Sequence, residues 1–126
     1  MRKKTWVWLL CLLCHSYVSA TSWEFAKTET EAEIDLFWYT SIPFIKKGTN
    51  GKLAGIEYEL MLSFKEYLKE KHSVELRLNW KEADSFYNII EIVRGSARPN
   101  VFGVSAFSIT EERSAFASFT NPYLPD

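Results

Sequence analysis

Apolar residues between Ile34 and Phe107 change their spacing from one segment to the next, and that alternation restricts the chain to a narrow class of folds. Ile34-Asp35-Leu36-Phe37-Trp38-Tyr39-Thr40 is dense in β-branched and aromatic side chains and reads as a strand. From Ile56 the period becomes helical, with Ile56, Leu60, Phe64, Tyr67 and Leu68 on one face and Glu59, Lys65, Glu66 and Lys69 elsewhere. Val74, Leu76, Leu78 and Trp80 then alternate with Glu75, Arg77 and Asn79, the pattern of a strand with one wet face. A second helix follows, capped by Asp84 or Ser85, with Phe86, Ile89, Ile90 and Val93 turned inward. Gly95 is expected to close it as a left-handed residue. Val101 to Phe107 is apolar without alternation, as a strand covered by helices on both faces requires. Strand, helix, strand, helix, strand is the order of an α/β layer, so a mainly parallel sheet flanked by helices is predicted.

The connecting segments fit this order. Pro43 ends the first strand region, and Asn50-Gly51 supplies the turn chemistry of Lys47 to Lys52. Residues 21–33 are polar and acidic without an apolar period and are expected to be a flexible lead-in. Beyond Phe119, two prolines in Asn121-Pro122-Tyr123-Leu124-Pro125-Asp126 suit an extended crossing segment. No internal repeat and no low-complexity stretch is visible.

The first twenty residues have a different character. Arg2-Lys3-Lys4, an apolar run from Trp6 to Cys14, and Val18-Ser19-Ala20 together describe a secretory signal peptide over residues 1–20. The apolar run is far short of the ~20 residues that cross a bilayer, so no stable membrane insertion is expected after cleavage. Both cysteines, Cys11 and Cys14, fall inside this leader, which leaves the exported part without a disulfide. With Arg2, Lys3 and Lys4 removed, twelve basic residues face sixteen acidic ones, a net charge of −4. That balance argues against nucleic acid as a partner, and the expected location is periplasmic or secreted. About 106 residues remain, enough for one small core.

Chemistry-bearing residues concentrate in Ser108-Ile109-Thr110-Glu111-Glu112-Arg113. A hydroxyl, the N–H groups that open a short helix, and a guanidinium fork lie within six residues. An arginine fork matches a carboxylate in bidentate fashion, so the segment can receive a small organic anion. The plainer reading makes Ser108 and Thr110 helix caps and Arg113 a solvated charge; capping and anion binding use the same N–H groups. His72 is the single histidine outside the leader and sits among Lys69, Glu70 and Lys71, a surface setting. One isolated imidazole and no cysteine give no basis for a metal site or for a Ser/His/Asp or Cys/His set. No phosphate-cradling glycine loop is present. A non-enzymatic protein without cofactor is expected.

The segments that carry this chemistry resemble a known family. From about Ile34 onward the chain resembles the amino-terminal lobe of extracellular solute-binding proteins of family 3, the amino-acid-binding kind with the type II periplasmic binding protein fold. Pro43-Phe44 follows the first strand. Gly51-Lys52-Leu53-Ala54-Gly55-Ile56-Glu57-Tyr58-Glu59-Leu60 matches the turn entering the first helix. Ser108 to Arg113 matches the carboxylate-binding segment, and Phe119-Thr120-Asn121-Pro122-Tyr123 matches the approach to the hinge. On this resemblance, residues 34–126 form a partial lobe that ends near the hinge.

The resemblance implies specific roles. Arg113 would grip a ligand α-carboxylate, Ser108 would offer its hydroxyl and N–H to the same group, and Thr110 would add its backbone N–H. Ala106 would direct its carbonyl to the ligand ammonium. Where the family often carries a stacking aromatic, this chain has Ser41, leaving Tyr39 or Phe44 to supply a wall. Gly95 to Val101 is longer than the family pattern, and Asn100 is the nearest polar residue to its usual aspartate. The implied function is an exported solute-binding module for a small amino acid or related carboxylate, monomeric, serving ABC-type transport with a membrane permease when complete. An extracytoplasmic sensory domain, a truncated fragment without activity, and the front module of an enzyme such as a cell-wall lyase remain as alternatives. Because the family closes two lobes on its ligand, this chain alone is expected to bind weakly.

Overall fold

The computed structural model describes residues 22–123, so the leader expected over 1–20 lies outside the described residues. The elements are α1 (Trp23–Glu29), β1 (Glu31–Trp38), β2 (Lys46–Lys47), β3 (Leu53–Ala54), α2 (Ile56–His72), β4 (Glu75–Glu82), α3 (Phe86–Gly95), β5 (Val101–Val104) and α4 (Glu111–Ser114). Three strands form one sheet in the order β4-β1-β5, with both pairings parallel. β2 and β3 make a small antiparallel hairpin whose turn uses Gly51 at φ 76°. The predicted parallel α/β layer is therefore present.

Side-chain alternation assigns a helix to each face of the sheet. Ile34, Leu36 and Trp38 of β1 share a face with Leu76, Leu78 and Trp80 of β4, and this face packs on Leu68, Tyr58 and Met61 of α2. The opposite face carries Gly103 of β5, where an added Cβ would strike the Ile89 side chain of α3 closely, at 2.7 Å. Leu36, Ile45, Val74 and Ile89 are fully buried. Away from α3, that second face is charged. Asp35 is buried and accepts from Lys81 Nζ at 2.9 Å, Arg98 Nη2 at 2.5 Å and Asn79 Nδ2 at 3.2 Å. Burial alone would push this carboxyl upward, yet the hydrogen bonds from Lys81, Asn79 and Arg98 hold it below its ordinary value.

Several local expectations are corrected. The lead-in expected over 21–33 is structured within the described residues: 22–33 contain α1 and the first residues of β1. Ser22 caps α1 by accepting the Phe25 N–H at 3.2 Å, Ala26 is buried, and the Trp23 ring meets His72 edge-on at 5.0 Å. Gly95 stays within α3, and the left-handed helix ends occur instead at Thr30 and Ser73. Of the two candidate caps for α3, Ser85 takes the role by accepting the Asn88 N–H at 3.1 Å.

β5 ends at Val104, because the Phe107 N–H turns back to the Ser105 carbonyl at 2.8 Å. Among the described residues β5 pairs with β1 alone, and Phe102 is 40% exposed, so the strand is not covered on both faces. α2 is rotated from its expected orientation. Ile56, Leu60, Phe64 and Tyr67 are exposed, while Glu57 and Leu68 are buried. Gly55, at φ 127°, allows this entry, since any Cβ there would collide with the Phe44 carbonyl.

A candidate ligand cleft beside β5

β1 and β5 are neighbours whose helical connections lie on opposite faces of the sheet, β1 leading out to α2 and β5 being entered from α3. Such a switch point opens a crevice at the carboxyl ends of parallel strands, the usual ligand position in an α/β sheet. The segment following β5, Ser105 to Arg113, enters that region directly, and Tyr39 follows the last residue of β1. An open cleft of about 1170 Å³ runs along β5 from Glu57 on α2 to Ile90 and Val93 on α3. The cleft is an open groove along an edge strand of the sheet and not an enclosed pocket.

Three of the sequence-selected residues, Ala106, Ser108 and Arg113, line this cleft together. Arg113 is half-buried and donates from Nη1 to the Ser108 carbonyl at 2.9 Å. Its guanidinium carbon also lies 5.2 Å from the centre of the Phe86 ring. Thr110 caps α4, its Oγ1 accepting the Arg113 N–H at 3.2 Å. With four residues, α4 carries only a small dipole, so the guanidinium dominates the local positive field.

Tyr39 belongs to the same neighbourhood through an intermediate. Its ring meets Phe86 edge-on at 6.2 Å, and Phe86 in turn lies 4.7 Å from Phe107. Phe44 is placed elsewhere: its carbonyl accepts the Glu57 N–H at 2.9 Å and pins the start of α2. Ser41 bridges to Ile45 through reciprocal backbone hydrogen bonds of 2.8 Å. Asn100 contributes its carbonyl to the Asp35 N–H and its Nδ2 to the Glu33 carbonyl, both at the amino-terminal side of β5.

Three residues of this region escape the sequence reading of the site. Phe86 is assigned there to the inner face of its helix, which is compatible with its position but silent about Arg113. Glu57, which the sequence reading gives no role at the site, is 5% exposed and accepts a hydrogen bond from the Tyr123 hydroxyl at 2.6 Å. Burial pushes the Glu57 carboxyl above its ordinary range, partly offset by the Tyr123 hydrogen bond. Tyr123 is itself raised, by burial first and then by the carboxylate it faces. Glu57 lies eleven residues, three helical turns, before buried Leu68, and that spacing is the signal that could have placed it inward.

No protein-family model and no curated protein matches this chain. Among solved structures, it is similar to an ABC uptake transporter substrate-binding protein from Streptococcus pneumoniae, solved with bound histidine. The two share 20% identity and superpose with a TM-score of 0.52. The match covers 82% of this chain but 38% of that protein, so the chain spans well under half of its relative's length. The likeness establishes a shared architecture: this chain has the parallel α/β fold of one portion of an ABC substrate-binding protein.

Proposed function

We propose that the chain is a non-enzymatic binding module for a small α-amino acid or related carboxylate, with Arg113 as the carboxylate receiver. The observation that carries this reading is the Arg113 guanidinium, held at the cleft by the Ser108 carbonyl and turned over the Phe86 ring. One Nη1 donor is engaged by that carbonyl, and a planar fork keeps further donors for a bidentate partner. Ser108 and Ala106 line the same cleft, in agreement with a hydroxyl for the carboxylate and a carbonyl for the ammonium. Export through the leader, delivery to a membrane permease of the ABC type and action as a monomer complete the proposal. The fold shared with a substrate-binding protein supports a solute-binding role.

A single open cleft limits the affinity. Exposed ion pairs contribute only about 0–1 kcal/mol, whereas the same contact enclosed in a low dielectric is several times stronger. Weak binding of free amino acids by residues 21–126 is the expected result, with tight binding reserved for a form that encloses the ligand. Titration with L-histidine, followed by the NMR signals of Ser108, Ile109 and Arg113, tests the site. Saturable shifts that vanish in Arg113→Ala support it; shifts that persist in Arg113→Ala refute it.

A further inference from the structure

The geometry points to Phe86 as the positioning residue of the cleft: its ring holds the Arg113 guanidinium in the orientation that receives a carboxylate. This inference rests on reading Arg113 as the carboxylate receiver and adds a residue that reading does not contain. The guanidinium lies 5.2 Å from the Phe86 centroid, inside the range where a cation is attracted by the negative face of an aromatic ring. The ring cannot drift, because it is packed against Phe107 at 4.7 Å with an interplanar angle of 32°. Tyr39 meets it at 6.2 Å and 75°, and Tyr87 at 5.8 Å and 90°. Ser85 fixes the backbone from which the ring projects, accepting the Asn88 N–H at the start of α3.

Two independent restraints thus act on one side chain. The Ser108 carbonyl draws Nη1 along the guanidinium edge, and the Phe86 ring attracts the cation toward its face. A free arginine samples many rotamers, and each must be given up when a ligand binds. A fork already held at an edge and over a ring loses less on binding. Phe86 contributes this without touching the carboxylate. A smaller aliphatic side chain keeps part of the apolar contact but has no ring quadrupole, and a tyrosine restores the ring, which separates positioning from mere filling.

The experiment uses the full chain with 15N-labelled arginine, and sodium acetate and L-histidine as probes. In the wild type, ring current should move the Arg113 Hδ and Nε–H protons upfield, with cross-relaxation to the Phe86 ring. In Phe86→Leu that upfield shift should disappear and the apparent affinity for both probes should fall about threefold, while Ile89 methyl signals report an intact fold; Phe86→Tyr should restore both. Probe responses that are equal in the wild type and Phe86→Leu would overturn the positioning role alone. An Arg113 signal that ignores both probes in the wild type would overturn the carboxylate reading and, with it, the purpose of the positioning. If Phe86→Leu does not fold, the wild-type spectrum decides: no upfield shift and no cross-relaxation with Phe86 overturns the inference.

Discussion

The Tyr123 hydroxyl donates to Oε1 of Glu57 at 2.6 Å, joining residues 66 positions apart in sequence. The bond fastens the segment after α4 to the first turn of α2, and both residues line the cleft that Arg113 also lines. The α2 end of this contact is rigid, since the Glu57 N–H is itself bonded to the Phe44 carbonyl. Position 123 is therefore tied to the sheet through the same turn that Gly55 permits.

Removing that hydroxyl should loosen the segment without unfolding the layer. Tyr123→Phe leaves the ring and deletes one hydrogen bond to a carboxylate, a loss of about 1–2 kcal/mol. Hydrogen exchange should accelerate at Phe116 and Ala117, whose N–H groups are bonded to the Arg113 carbonyl, while amides of β1 keep their protection. Unchanged exchange at those positions would show that the segment is held by apolar packing instead.

Glu57 also sets a pH dependence whose sign follows from the direction of its shift. Its folded-state carboxyl titrates above the ordinary 4.5. Between that value and the raised one, the folded chain binds more protons than the unfolded chain, so this group's contribution falls as pH rises. It is fully favourable below 4.5 and lost once Glu57 ionises in the fold. Glu57→Gln retains a carbonyl acceptor for Tyr123 and removes the ionisation. Denaturation by urea across pH 4 to 8 should show the variant gaining on the wild type as pH rises; parallel curves would refute the assignment.

Asp35 predicts the opposite slope. Its folded carboxyl lies below the ordinary 3.8, held there against burial by Lys81, Asn79 and Arg98. Its stabilisation is present above 3.8 and disappears as pH falls through the lowered value. Asp35→Asn should cost about 2 kcal/mol at pH 7, by removing hydrogen bonds to a charged group, and less in acid. The midpoint of urea denaturation, compared at pH 7 and pH 2.5, checks both parts.

The order of the main strands and helices was legible because α2, β4 and α3 carry a period of one element type, while β1 and β5 are short apolar runs between them. β4 is the clearest case: Leu76 is buried between exposed Glu75 and Arg77, as alternation requires. The cleft was legible in part, since Ala106, Ser108 and Arg113 stand within eight positions and line one wall. Phe86 and Tyr123 were not, because their partners Arg113 and Glu57 are remote in sequence and no local period reports on them. α1 was missed for a related reason: its one buried residue, Ala26, makes no apolar stripe, and its outer ring contacts are to His72 on α2.

The rotation of α2 separates the two readings most sharply and can be tested with two truncations. Apolar spacing alone places Phe64 and Leu68 on one buried face, and both should then be costly to shorten. In the structure Leu68 is 6% exposed within the cluster of Leu36, Trp38 and Leu76, whereas Phe64 is 43% exposed. Leu68→Ala would leave a cavity among Leu36, Val74 and Leu76 and should destabilise the chain by about 2–5 kcal/mol. Phe64→Ala removes a ring that already meets water, and its cost should stay near 1 kcal/mol. Urea denaturation of both variants at pH 7 measures the difference. Equal losses would mean that the helix turns Phe64 inward after all, and that the outer stripe of Ile56, Leu60 and Phe64 is covered in solution.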